Sequence, residues 1–259
     1  MSKNNQTVTL NSIISDNTSG SRELLQKLNH YLSNHKNEID EELIYSLQDS
    51  FSEFQSIKNY LTQLNESLSN DNLDKYFRQF EENQKSVFEE LLINIKPEIE
   101  QINSFITISN SQTILELFKL FHKEKSFLRL TVCEGRPNNE GRILAEKLSR
   151  EDIAVSLITE AQIYDAVQKV ECGIIGADKI LPNGNVVNKV GSNLLALACK
   201  EFNKPFFVVT DKSKFANENS FDKKEKPADE IYSGSNKIKI SNYYFEEIPK
   251  ELITKVITN

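Results

Sequence analysis

The chain has 259 residues, and its 31 basic and 38 acidic side chains give a net charge of −7. With 38% hydrophobic and 27% charged residues it carries enough apolar surface for a sizeable core, which excludes a disordered or low-complexity polymer. No run approaches the ~18 apolar residues of a membrane helix, and the start MSKNNQTVTLNS has neither the basic flank nor the apolar run of a secretory signal, so a cytoplasmic location without membrane contact is expected.

The acidity belongs to the first part. Residues 1–100 hold nine Lys/Arg against 17 Asp/Glu, a net of −8, whereas residues 101–259 hold 22 against 21. An acidic segment repels phosphate backbones, and the second part shows no basic stripe with interleaved aromatics, so direct nucleic-acid binding is not expected and any phosphate recognised here belongs to a small molecule. Between residues 21 and 95 the apolar residues recur in steps of three and four: Leu24, Leu25, Leu28 and Leu32, then Leu43, Leu47, Phe51, Phe54 and Ile57, then Phe77, Phe80, Phe88, Leu91 and Ile95. Breaks at Ser33-Asn34-His35 and Ser69-Asn70-Asp71-Asn72 predict about three long helices, each with one apolar face to bury, within an intramolecular bundle first, or against the second domain or another chain. This bundle shows no readable chemistry.

From Ser104 the pattern changes to short apolar runs: 105–108, 127–132, 153–158, 173–176 and 206–210. Helical segments at 112–122, 141–148, 161–167 and 193–201 alternate with them, which predicts a parallel sheet wrapped by helices. Ligands of such sheets sit at the carboxyl ends of the strands, so the following turns are the places to search.

Three turns carry candidate chemistry. Thr107-Ile108-Ser109-Asn110-Ser111 ends the first strand, where Ser109 and Asn110 either cap a helix or line the pocket. Cys133-Glu134-Gly135-Arg136-Pro137-Asn138-Asn139-Glu140-Gly141 brings glycine, arginine and a helix start together, a composition suited to a phosphate. In the third turn Asp178 follows a strand directly, and Pro182-Asn183-Gly184 predicts a hairpin that returns Asn188 and Lys189 to its side. There Asp178 can move a proton while Lys189 holds a phosphate. Cys133, Cys172 and Cys199 form no metal spacing, the three histidines are isolated, and no metal or cofactor is expected.

CEGRPNNEG resembles the E-S/T-R-P-x-x-x-G turn, and GADKILPNGNVVNKVGSN the G-A-D-x-I-x-x-N-G-x-x-x-N-K-x-G-T/S segment, of one superfamily. Asn242 to Pro249 with Leu252-Ile253-Thr254 is similar to its N-x-x-F-D-x-T-P-x-x-L-I-T ending. The members are the alpha, beta and delta regulatory subunits of eukaryotic translation initiation factor two-B, methylthioribose-1-phosphate isomerase and ribose-1,5-bisphosphate isomerase, and they usually continue past the position of Asn259. The resemblance implies an α/β fold: a helical domain over residues 1–100 and a dimerising Rossmann-like domain over 101–259. It implies a phosphorylated small molecule as ligand, a homodimer and protein partners. It matches Asp178 to the isomerases' catalytic aspartate and Arg136, Gly141, Asn188 and Lys189 to substrate-binding positions. The isomerases' T-H-C-N turn aligns with Thr107-Ile108-Ser109-Asn110, so Ser109 stands at the catalytic cysteine; Cys133, at the end of the neighbouring strand, is the thiol that can substitute. The resulting expectation is a regulatory protein that binds a sugar phosphate or nucleotide phosphate. The alternative is an aldose-ketose isomerase acting on a ribose 1-phosphate derivative.

Overall fold

The computed structural model describes residues 9–69, 72–125, 127–235 and 237–259. The apolar steps of the first part become five helices among these residues: α1 (Leu10–Ile14), α2 (Ser21–Asn34), α3 (Glu41–Ser50), α4 (Gln55–Ser69) and α5 (Leu73–Ile99). Their stripes meet in one core built on Leu24, Leu28, Leu47, Ile57, Leu61 and Phe77. The expected break at Asn34 is present, whereas Asn70 and Asp71 lie outside the described residues. The middle helix of the sequence reading is two helices. Phe51 and Phe54 keep the apolar spacing but sit in the turn between α3 and α4, where the Phe54 N–H donates to the Phe51 carbonyl at 2.9 Å. Burial continues through that turn, so periodicity alone hides it.

The second part alternates as predicted: β1 (Ser104–Ile108), α6 (Gln112–Glu124), β2 (Arg129–Cys133), α7 (Glu140–Ser149), β3 (Ala154–Ile158), α8 (Ile163–Gln168) and β4 (Cys172–Ile175). After β5 (Lys179–Ile180) and β6 (Val186–Lys189) come α9 (Ser192–Glu201), β7 (Phe206–Val209), β8 (Phe245–Ile248) and β9 (Lys255–Ile257). Six strands form a parallel sheet in the order β3-β2-β1-β4-β7-β9. Period-two alternation divides its side chains. Phe105, Leu130 and Val132 pack with α5, α6 and α7 on one face, and Ile106, Ile108 and Val208 pack with α8 and α9 on the other.

A smaller antiparallel sheet, β5-β6-β8, rests beside the carboxyl ends. Its hairpin turns at Gly184, whose φ of +90° only glycine adopts freely, and the Leu181 N–H closes it on the Asn185 carbonyl at 2.9 Å. β8 and β9 lie outside the expected strands; four and three residues long, they are too short to show a pattern. The last turns of α5 belong to the sheet: Leu91, Ile95 and Ile99 are buried against it, while Phe77 on the same helix lies in the helical core. Among the described residues no helix is long and apolar enough to cross a membrane.

Candidate functional site

The strand order reverses between β1 and β4, and in open α/β sheets the crevice at such a point receives the ligand. Ser109 follows β1 and Asp178 follows β4, so both reach this crevice from the strand ends. They line a cavity of about 130 Å³ together with Glu140 and Lys189. The opposite wall comes from the helical part, from the Asp16 to Gly20 turn and from Phe51, Glu53 and Phe54. Tyr244 and Phe245 close the side next to β8. A smaller recess continues past Ser109 and Asp178 to Asn110, Asn188 and Lys214.

Glu140 is the first residue of α7 and is buried. Its Oε1 lies 2.8 Å from Lys189 Nζ and accepts from Ser109 Oγ at 3.3 Å, while its Oε2 is buried without a partner. Burial raises the Glu140 carboxyl above the ordinary glutamate range, and Lys189 opposes that rise without cancelling it. Ser109 itself has φ +76°, left-handed for a residue with a side chain, a conformation held here at the mouth of the crevice. Glycine at 141 is what brings Glu140 in. A Cβ there would lie 1.9 Å from the Cys133 carbonyl oxygen, so only glycine lets α7 start against the end of β2.

Asp178 is held from both parts of the chain. Its N–H donates to the Val187 carbonyl at 2.9 Å, and its carbonyl accepts from the Gln55 N–H at 3.3 Å. Its side chain hydrogen-bonds Ser21 at the start of α2, and burial raises its carboxyl above the usual range although Lys214 and Lys189 pull the other way. Lys214 Nζ is buried, donating to Ser21 Oγ at 2.7 Å and to the Ala177 carbonyl.

The turn before α2 is built by Asp16. Its Oδ1 accepts from the Thr18 and Ser19 N–H groups at 3.1 and 3.0 Å, and its Oδ2 lies 2.8 Å from Lys27 Nζ. Burial alone would raise the Asp16 carboxyl, but Lys27 and these amides outweigh it and hold it well below the carboxylate range. The turn delivers the N-terminus of α2, whose N-cap Gly20 offers no side-chain oxygen, to the cavity wall.

The Initiation factor 2 subunit family matches residues 6–259. The chain belongs to this family. Over 162 residues it is 30% identical to the ribose 1,5-bisphosphate isomerase of Archaeoglobus fulgidus, covering 59% of this chain and 51% of that protein. Over 160 residues it is 29% identical to the methylthioribose-1-phosphate isomerase of Caenorhabditis elegans, covering 57% and 44%. The chain thus spans about half the length of these relatives. The crystal structure of translation initiation factor eIF-2B from Pyrococcus horikoshii shares the fold, with a TM-score of 0.79 at 24% identity over 96% of this chain and 92% of that one.

In this family member the crevice gathers five of the residues singled out in the sequence: Ser109, Asn110, Asp178, Asn188 and Lys189. The Asn188 amide donates to Ser192 Oγ at 2.9 Å, and the Asn110 amide donates to the Thr18 carbonyl at 3.2 Å, tying the crevice to the α2 turn. The other three lie elsewhere. Arg136 is exposed in an outer groove with Pro137, Val190 and Tyr243, and makes no hydrogen bond or ion pair among the described residues. Gly141 is a packing position. Cys133 is fully buried in the sheet core, where desolvation and the Glu160 charge push its thiol far above the ordinary range.

Four features escaped the sequence reading: Glu140, Lys214, the Asp16 to Gly20 turn and the aromatic wall. Glu140 was visible as the residue before Gly141 in a strand-to-helix turn. Lys214 lies just beyond the end of β7, where the carboxyl-end rule already pointed. The turn and the aromatic wall draw on the helical part, and only the tertiary fold brings that part against the sheet. Among the described residues no three His, Cys, Asp or Glu side chains gather to hold a metal ion.

Proposed function

We propose that this chain binds a sugar phosphate or nucleotide phosphate as a regulatory member of its family, without turning it over. The observation that carries this reading is Ser109 on the crevice, where the resemblance aligns the isomerases' cysteine, with Cys133 sealed in the core. A hydroxyl ionises far less readily than a thiol, and the carboxylate beside Ser109 is engaged by Lys189. The uncapped N-terminus of α2 and the ammonium group of Lys214 favour a phosphate at the inner end, with Lys189 on the adjoining cavity wall. Asp178 and Lys189 face the ligand in this reading, Asn110, Asn188 and Gly141 hold the walls, and Arg136 guards the outer groove.

One observation favours the isomerase reading. Moving a proton between adjacent carbons needs an acid and a base, and Asp178 and Glu140 are two buried acids on one cavity, both raised by burial. Phosphorus NMR of the protein with ribose 1,5-bisphosphate or methylthioribose 1-phosphate separates the two readings. The regulatory reading expects shifted ligand signals without product in the wild type, with turnover appearing only in Ser109→Cys. A ketose-phosphate signal from the wild type that Asp178→Asn abolishes overturns it.

We also infer a homodimer, with a place for other protein partners, in a cytoplasmic setting. Leu157, Tyr164, Leu194 and Leu197 expose apolar surface on neighbouring β3, α8 and α9, which a second copy would cover. Sedimentation at micromolar concentration checks it, and a monomer there sinks it.

A further inference from the structure

Lys179, outside the crevice, carries an amine in surroundings that oppose its charge. It is the first residue of β5 and stands directly opposite Val187 of β6, and cross-strand partners point to the same face. On that face Val187 joins Leu181 and Phe245 in an apolar cluster, and Phe54 packs on it, meeting Phe245 edge to face at 5.4 Å between ring centres. The stem of Lys179 therefore runs beside apolar surface, and the residue is only 6% exposed. The carbonyl of Asp178, one residue earlier, accepts from the N–H of Gln55, the first residue of α4. β5 thus abuts the N-terminal end of α4, which carries a partial positive charge, and Lys58, one turn into the helix, adds a full one. No carboxylate pairs with Lys179, and its side chain makes no hydrogen bond among the described residues. Three acids face it from a distance. Glu53 is already ion-paired to Lys226, while Glu218 and Asp222, in the loop after β7, are exposed and screened by solvent. Burial and the Lys58 charge hold the amine below the ordinary lysine range against the pull of these three.

We propose that Lys179 is a carbamylation site, whose amine adds carbon dioxide to form a carbamate that pairs with Lys58 and the N-terminal end of α4. The Nζ lone pair attacks the carbon of CO2 and an N–C bond forms. One C–O π pair moves onto oxygen, and the amine proton leaves to solvent. The step needs no oxidant and no leaving group. A reagent of three atoms also reaches a nearly covered amine that a bulky acyl donor does not. The product reverses the sign of the charge at the tip, so repulsion between β5 and α4 becomes attraction. This happens at the joint where the helical part meets the small sheet, and it is independent of what the crevice binds.

The test exposes the full chain to isotope-labelled bicarbonate in equilibrium with CO2 at neutral pH, traps carbamates with triethyloxonium and maps them by peptide mass spectrometry. The trapped ethyl carbamate is expected on Lys179 at about tenfold or more the level on exposed lysines such as Lys75 and Lys85, because each unit by which an amine's pKa falls raises its neutral fraction about tenfold. The α-amino group, with a pKa of about 8, is labelled in every sample and shows that the trapping has worked. Lys58→Gln, which removes the counter-charge from a half-exposed position, lowers the Lys179 label about fivefold or more, and Lys179→Arg abolishes it. At constant pH and ionic strength the wild-type chain melts at a higher temperature with CO2 than without, and Lys58→Gln does not. Label on the α-amino group with none on Lys179, or with no more there than on Lys75, overturns the inference. Label on Lys179 that Lys58→Gln leaves unchanged overturns the pairing across the joint.

Discussion

Lys189 and Glu140 meet at 2.8 Å with less than a tenth of either side chain exposed, one from the end of β6 and the other from the start of α7. Removing one partner of a buried pair leaves the other without its counter-charge. Lys189→Met should therefore lose about 3 kcal/mol at neutral pH. Because the Glu140 carboxyl already sits above its ordinary range, it takes a proton as the pH falls, and the loss should shrink toward acid pH. Urea denaturation at several pH values measures both; an equal loss at all pH values would mean that Glu140 stays ionised.

Asp178 gives a pH dependence of definite sign. Burial raises its carboxyl in the folded chain, so the native state binds this proton more tightly than the unfolded state does. Its contribution is fully present below the unfolded value and is lost as the pH rises through the folded one. Asp178→Asn should accordingly gain stability relative to the wild type over the range in which the pH rises from about 4, the ordinary aspartate value, through neutrality. A difference in unfolding free energy that stays constant across this range would contradict it.

Gly141→Ala should be among the costly single-methyl additions in the chain. The added carbon has nowhere to go, since the Cys133 carbonyl oxygen is 1.9 Å from its ideal position, and α7 must move outward. A stability loss of about 3 kcal/mol is expected, the upper end of overpacking penalties. Glu140 rides on the displaced helix, so ligand affinity should fall with it. Thermal melts and titration with adenosine 5′-monophosphate report the two effects.

Arg136→Ala and Lys214→Met should behave oppositely. Arg136 is exposed and unengaged, so its loss should change stability by less than about 0.5 kcal/mol and leave the cavity's affinity alone. Lys214 is buried against Ser21, the residue that also hydrogen-bonds Asp178, and its removal should weaken phosphate binding about tenfold or more. A large loss of affinity in the arginine variant would move the phosphate to the outer groove.

The parallel sheet was legible because each strand of the core is a short apolar run between helical stretches. Ser109 and Asp178 follow strands of the parallel sheet and Lys189 returns through the Pro182-Asn183-Gly184 hairpin, so their meeting on one crevice could be read from the pattern. What stayed hidden came from contacts distant in sequence. Nothing near Phe54 says that it faces Phe245, and Asp16 reads as an ordinary helix-entry residue until the fold sets it opposite Asp178. Arg136 lies away from the crevice for the converse reason: its turn has a composition suited to anions, but the guanidinium is exposed in the outer groove, and side-chain direction is not written in composition.

Because α5 is embedded in the helical core at Phe77 and in the sheet's core at Leu91, Ile95 and Ile99, its register fixes how the two halves of the crevice face each other. A single residue inserted between Phe77 and Leu91 would lengthen this strut by about 1.5 Å and turn one half about 100° against the other. The aromatic wall would then no longer oppose Asp178. A helix whose inner residues join the two cores is thus the gauge that keeps the crevice in alignment, and insertions within it should be far less tolerated than in the exposed residues 231–235.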